Sequence, residues 1–148
     1  MQRAGSAAAQ PMTSNVRASS CLIHVSDLDR SMRFYGDVFE CRVAIHESDA
    51  ALLITPDGFQ LYLRSAGTPG PAQRVEDIGV KQIIWSVDNA AALEDIERRL
   101  RVFYPSTYTN TTNGITFVDG IDPDGNRVLV TTPTPQQLPR EVIDGRMR

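Results

Sequence analysis

This chain is poor in the residues that build covalent or metal frameworks, with two cysteines and two histidines among 148 residues. Cys21 and Cys41 are too few for a disulfide scaffold and stand at no metal-type spacing, so both read as reduced thiols. His24 and His46 both fall in the first half, which leaves the second half without an imidazole. Lys and Arg nowhere cluster, and a formal net charge of -3 with a pI near 5.3 argues against a nucleic-acid partner. No apolar run approaches the ~20 residues that a membrane-spanning helix needs. The opening MQRAGSAAAQPMTSN has no continuous apolar stretch. It reads as a disordered leader over residues 1–18 and not as a signal peptide, so a cytoplasmic location is expected. What remains, 41% hydrophobic and 22% charged, is the composition of one globular domain with a core.

What the chain does have is self-similarity. TPDGFQLYL from Thr55 and DPDGNRVLV from Asp122 are both Pro-Asp-Gly turns running into an alternating apolar strand, 67 residues apart. Ahead of each lies a second matched pair, CLIHVSDLDRSMRFY from Cys21 and KQIIWSVDNAAALEDI from Lys81. Each is an apolar strand, a polar cap and an amphipathic helix. Two copies of this length mean a duplicated domain. The expected order is a strand over 21–25, a helix capped by Ser26 with Leu28, Met32, Tyr35 and Phe39 buried, and strands over 42–47, 50–55 and 59–64. Gly36 is expected to loosen the end of that helix. A second strand-helix-strand-strand-strand unit is expected over 80–87, 89–102, 103–110, 115–119 and 127–132, with Leu93, Ile96, Leu100 and Phe103 buried. Module 1 is thus 19–65, the connector 66–79 and module 2 80–132 of one domain, 19–132. The Pro- and Gln-rich tail 133–148 is expected to pack loosely.

Strand parity sorts the side chains into two faces. One set, Ser20, Leu22, His24, Gln60, Tyr62, Arg64, Gln82, Ile84, Ser86, Arg127, Leu129 and Thr131, mixes apolar with polar groups, as ligand pockets do. The other set, Ile23, Val25, Leu61, Leu63, Ile83, Trp85, Val87, Val128 and Val130, is almost wholly apolar and should pack beneath the helices. Trp85 therefore reads as packing and not as a stacking platform. Arg64 and Arg127 read either as ligand contacts or as rim residues, and Arg127 could equally pair with Asp124.

The junction VSDLDRSMRFYGDVFE and the hairpin DPDGNRVLV, together with the duplication, resemble the vicinal oxygen chelate superfamily over about residues 18–132. That superfamily includes glyoxalase I, extradiol dioxygenases, fosfomycin-resistance transferases and bleomycin-binding resistance proteins. The resemblance implies an α+β fold, two β-α-β-β-β modules forming an open, cleft-containing barrel of the glyoxalase/bleomycin-resistance type. It also implies where a metal would be held: a His five residues before the Val ahead of each helix cap, and an acidic residue in each last strand. Those positions carry Ser20 and Gln82, then Tyr62 and Leu129, none of them a good ligand for Zn, Fe, Mn or Ni. No metal and no cofactor is therefore expected. In glyoxalase-like relatives the position of His24 often carries a basic residue that touches substrate, which implies a ligand role for His24.

The leading expectation is a metal-independent protein that sequesters a hydrophobic or aromatic small molecule in the cleft, with Ser20, Leu22, His24, Gln60, Tyr62, Arg64, Gln82, Ile84, Ser86, Arg127 and Leu129 as contacts. Sequestering relatives often dimerise, so a homodimer is expected. An alternative is a metal-free isomerase, lyase or cyclase using His24 and Tyr62 as acid and base. A further alternative is a non-catalytic interaction or regulatory module, which a cleft filled by the chain's own tail would favour.

Overall fold

A computed structural model of the chain describes residues 16–66 and 78–147. Nearly all of the expected leader and of the connector lies outside those residues. The first module runs β1 (Arg17–Val25), α1 (Leu28–Phe39), β2 (Arg42–His46), β3 (Ala50–Ile54) and β4 (Gln60–Ser65). The second repeats it as β5 (Gly79–Ser86), α2 (Ala90–Phe103), β6 (Tyr108–Thr112), β7 (Ile115–Ile121) and β8 (Arg127–Thr132). In each module the first strand pairs in parallel with the last, β1 with β4 and β5 with β8. The modules join where β1 and β5 pair antiparallel, giving one curved, unclosed sheet ordered β2-β3-β4-β1-β5-β8-β7-β6.

The two faces follow the parity reading. Leu22, Leu52, Tyr62, Ile84, Phe117 and Leu129 share a cluster on the concave face. Val25, Leu53 and Leu63 pack under α1 with Met32 and Tyr35, while Val87, Val118 and Val130 pack under α2 with Leu93 and Ile96. Two members of the apolar set depart from expectation: Ile83 is 48% and Trp85 38% exposed. The helices explain this, because α1 lies over β2–β4 and α2 over β7 and β8, leaving the outer side of the β1–β5 seam uncovered. Phe39 and Phe103 are exposed for a related reason, as each closes the last turn of its helix beyond the part seated on the sheet.

Local corrections have local causes. The first strand begins at Arg17, inside the expected leader, because Arg17 and Ala18 pair with Ser86 and Trp85. Asp27, not Ser26, caps α1, accepting a hydrogen bond from the Arg30 amide at 3.0 Å. Gly36 does not loosen the helix, which ends at Glu40 in the left-handed conformation with φ 60°. Strand β6 starts at Tyr108, not Phe103, because α2 continues through Phe103. On the outer face of α2, Arg101 pairs with Glu97 at 2.8 Å and Arg98 with Asp95.

The largest correction concerns the tail. Residues 133–147 do not pack loosely: Thr134, Arg140, Ile143 and Met147 are all buried, and Ile143 and Met147 belong to the concave-face cluster. Apolar burial draws the segment back across the sheet, since Leu52, Tyr62, Ile84 and Phe117 would otherwise be wet.

Candidate functional site: a concave face covered by the C-terminal segment

Register places the expected residues level by level. Ser20 stands opposite Gln60 and Ile84, Leu22 opposite Tyr62 and Gln82, and His24 opposite Arg64. Ile84 and Ser86 stand opposite Leu129 and Thr131 on β8. Ser20, Leu22, Gln60, Tyr62, Ile84, Ser86 and Leu129 form the buried floor, while His24, Arg64 and Gln82 are half-buried toward one end. Arg127 stands at the start of β8, away from these residues. It pairs with Asp119 through two hydrogen bonds of 3.0 and 2.6 Å, and not with Asp124.

The floor chemistry is set by burial. Tyr62 is 1% exposed and donates to Gln60 Oε1 at 3.2 Å. Desolvation pushes its phenol up to about 12, with the nearby Arg140 guanidinium pulling the other way. Arg140, 6% exposed, enters from the C-terminal segment. Its Nη1 donates to the carbonyls of Thr134 (3.3 Å) and Leu138 (2.8 Å), and its Nη2 to Thr131 Oγ1 (3.2 Å) and the Pro133 carbonyl (2.7 Å). Burial lowers the guanidinium from its ordinary value, and Tyr62 opposes that shift.

A second polar group closes the far side. Asp119 receives Tyr108 Oη at 3.0 Å besides Arg127, and Arg146 Nε lies 3.9 Å away. Arg146 also pairs with Asp144 at 3.0 Å and lies over the Phe117 ring, 4.7 Å from its centroid. A cavity of about 330 Å³ remains between the segment and the second module, walled by Ile115, Phe117, Leu138, Arg140, Val142 and Met147. None of the ligand contacts expected from sequence lines it.

Sequence reasoning missed Asp119, Phe117, Arg140, Ile143 and Met147. Parity could have found the first two, which alternate on β7 toward the concave face. No local signal marks the others. Ile143 and Met147 sit in a segment without strand or amphipathic-helix pattern, and their burial is a long-range event.

No protein-family model and no curated protein sequence matches the chain. Solved structures do. A methylmalonyl-CoA epimerase from Mycobacterium tuberculosis is 24% identical with a TM-score of 0.55, the match covering 86% of this chain and 95% of that one. A glyoxalase/bleomycin resistance protein/dioxygenase superfamily member from Vibrio splendidus 12B01 is 19% identical with a TM-score of 0.51, over 80% of this chain and 97% of that one. Homoprotocatechuate 2,3-dioxygenase from Arthrobacter globiformis is 24% identical with a TM-score of 0.56, over 77% of this chain and 35% of that one.

The fold is that of the vicinal oxygen chelate proteins.

The metal positions of that fold can be tested on the residues present. Leu129 is 0% exposed and has no donor atom, and Tyr62 is a protonated phenol engaged with Gln60. Ser20 and Gln82 offer only neutral oxygens, which hold transition metals poorly without anionic or imidazole company. Among the described residues no three His, Cys, Asp or Glu side chains stand together as a metal site. A vicinal oxygen chelate metal does not fit this donor set.

Proposed function

We propose that this chain is a metal-independent binding protein for a hydrophobic or aromatic small molecule, held on the concave face of its vicinal oxygen chelate fold. The observation that carries the reading is the cavity of about 330 Å³ with Ile115, Phe117 and Met147 as apolar walls. Its size lies within the range of small-molecule pockets. The four metal positions, Ser20, Tyr62, Gln82 and Leu129, support the metal-independent part. The homodimer belongs to the same proposal, with the uncovered Ile83 and Trp85 as apolar surface available to it.

Screening polycyclic and aromatic metabolites by thermal shift and native mass spectrometry tests this. A binder should raise the melting temperature, survive EDTA and lose its effect in Val142→Trp, which fills the cavity from an exposed wall position. Stoichiometric metal in protein purified without chelators would sink it.

A second reading, a non-catalytic regulatory module, draws support from the C-terminal segment that covers the cleft. The metal-free enzyme draws less. Tyr62 lies beneath that segment with its phenol pushed up to about 12, far from what a base at neutral pH needs.

A further inference from the structure

The face beneath the C-terminal segment keeps the chemistry of a ligand surface. Arg64 Nε and Gln82 Nε2 are shielded from solvent and form no hydrogen bond among the described residues, and Ser86 Oγ is in the same position deeper in. Arg64 and Gln82 are half-buried, yet these atoms lose their water without gaining a partner, an uncommon state for a buried polar atom. Arg64 stands opposite His24 on β1 and Gln82 opposite Leu22, so both lie toward one end of the concave face, beside the apolar Leu22, Leu52 and Tyr62. Two N–H donors, one of them charged, next to an apolar floor suit a carboxylate on an apolar body.

The segment that covers this floor is held unlike the rest of the fold. It contains no strand, and its backbone hydrogen bonds are local, Leu138 to Thr134 and Met147 to Asp144. Its grip is made by side chains: Ile143 and Met147 in the cluster, Arg146 beside Asp119 and Phe117, and single hydrogen bonds from Gln136 and Gln137 to the Gly58 and Asp88 carbonyls. Three of the four hydrogen bonds of the buried Arg140 end inside the segment, and one reaches Thr131 on β8. Arg140 would therefore travel with the segment, and because no backbone hydrogen bond among the described residues joins 133–147 to the sheet, the segment can lift without breaking a strand ladder.

We propose that the floor under residues 133–147 is itself a ligand site, that its ligand is an apolar carboxylate received by Arg64 and Gln82, and that the segment swings out to admit it. This rests on the binding-protein reading above but moves the ligand from the remaining cavity to the covered floor.

Decanoate, with decanol and decyltrimethylammonium as head-group controls, tests it on the full chain. Calorimetry reads affinity, and hydrogen exchange reads the amides of 134–147. Decanoate should bind at least tenfold more tightly than either control and speed exchange in that segment at least tenfold. Arg64→Gln should weaken binding at least tenfold, and Arg140→Met should strengthen it severalfold by loosening the segment. Decanoate bound with segment exchange unchanged, or with equal affinity in Arg64→Gln, would overturn the proposal. Loss of binding in Val142→Trp with the segment still protected would overturn it and leave the cavity reading standing. Absence of binding by every apolar probe, even in Arg140→Met, would remove both.

Discussion

Asp119 sits almost dry on the concave face, yet its carboxyl stays below the ordinary carboxylate range. Burial alone would raise it, but hydrogen bonds from Arg127 and Tyr108 and the charges of Arg127 and Arg146 outweigh that. A carboxyl lowered on folding adds stability that is fully present above its unfolded value near 4 and fades as pH falls through the folded one. The urea midpoint should therefore drop between pH 5 and pH 3. Asp119→Asn should flatten part of that drop while costing about 1–3 kcal/mol at pH 7. Tyr62 sets the opposite limit. Its folded value is raised from 10 to about 12, so its contribution is intact below pH 10 and disappears as pH climbs through 12. That loss is on the order of 2–3 kcal/mol. Absorbance titration should show one tyrosine ionising last, and Tyr62→Phe should abolish that step. If all four tyrosines titrate together near pH 10, the phenol is not desolvated as described.

The elements divide by how local their causes are. Helix α2 starts at Asn89, whose side-chain oxygen accepts the Ala92 amide at 2.8 Å, and polar caps of this kind are written in the sequence. Asn89→Ala should cost about 1 kcal/mol in chemical denaturation, and a neutral result would show that sheet packing alone positions the helix. The strands after the two Pro-Asp-Gly turns were equally legible, because turn chemistry and period-two alternation agree there. In the second turn Asp122 accepts from the amides of Asp124 and Asn126 at 2.9 and 2.8 Å. Helix ends were not legible. Phe39 and Phe103 have the right spacing for burial, but spacing cannot say how far along a helix the sheet beneath it reaches. The same limit exposes Trp85 and Ile83, which carry the apolar side of a strand over which no helix lies. Parity correctly assembled Ser20, Leu22, Tyr62, Ile84 and Leu129 on one face. It could not foresee that Ile143 and Met147 would lie on top of them, since no periodicity records a contact between strands and an irregular segment far away in the chain.

At the scale of the whole molecule, the two halves share a long antiparallel seam, and the second half then reaches back over the first. Met147 and Ile143 rest in the cluster that contains Leu52 and Tyr62, and Gln136 Nε2 donates to the Gly58 carbonyl at 3.1 Å. Among the described residues no helix is long and apolar enough to cross a membrane. Strands β2 and β6 end the sheet on either side. So arranged, the halves are bound by the β1–β5 hydrogen bonds and by the returning segment, both independent of the peptide bonds that connect them. Residues 1–70 and 71–148 produced as separate polypeptides should therefore find each other and co-elute as one particle, and removing residues 133–148 from the second piece should weaken that recovery. The molecule would then behave as a lock and its own key, rejoined without the thread.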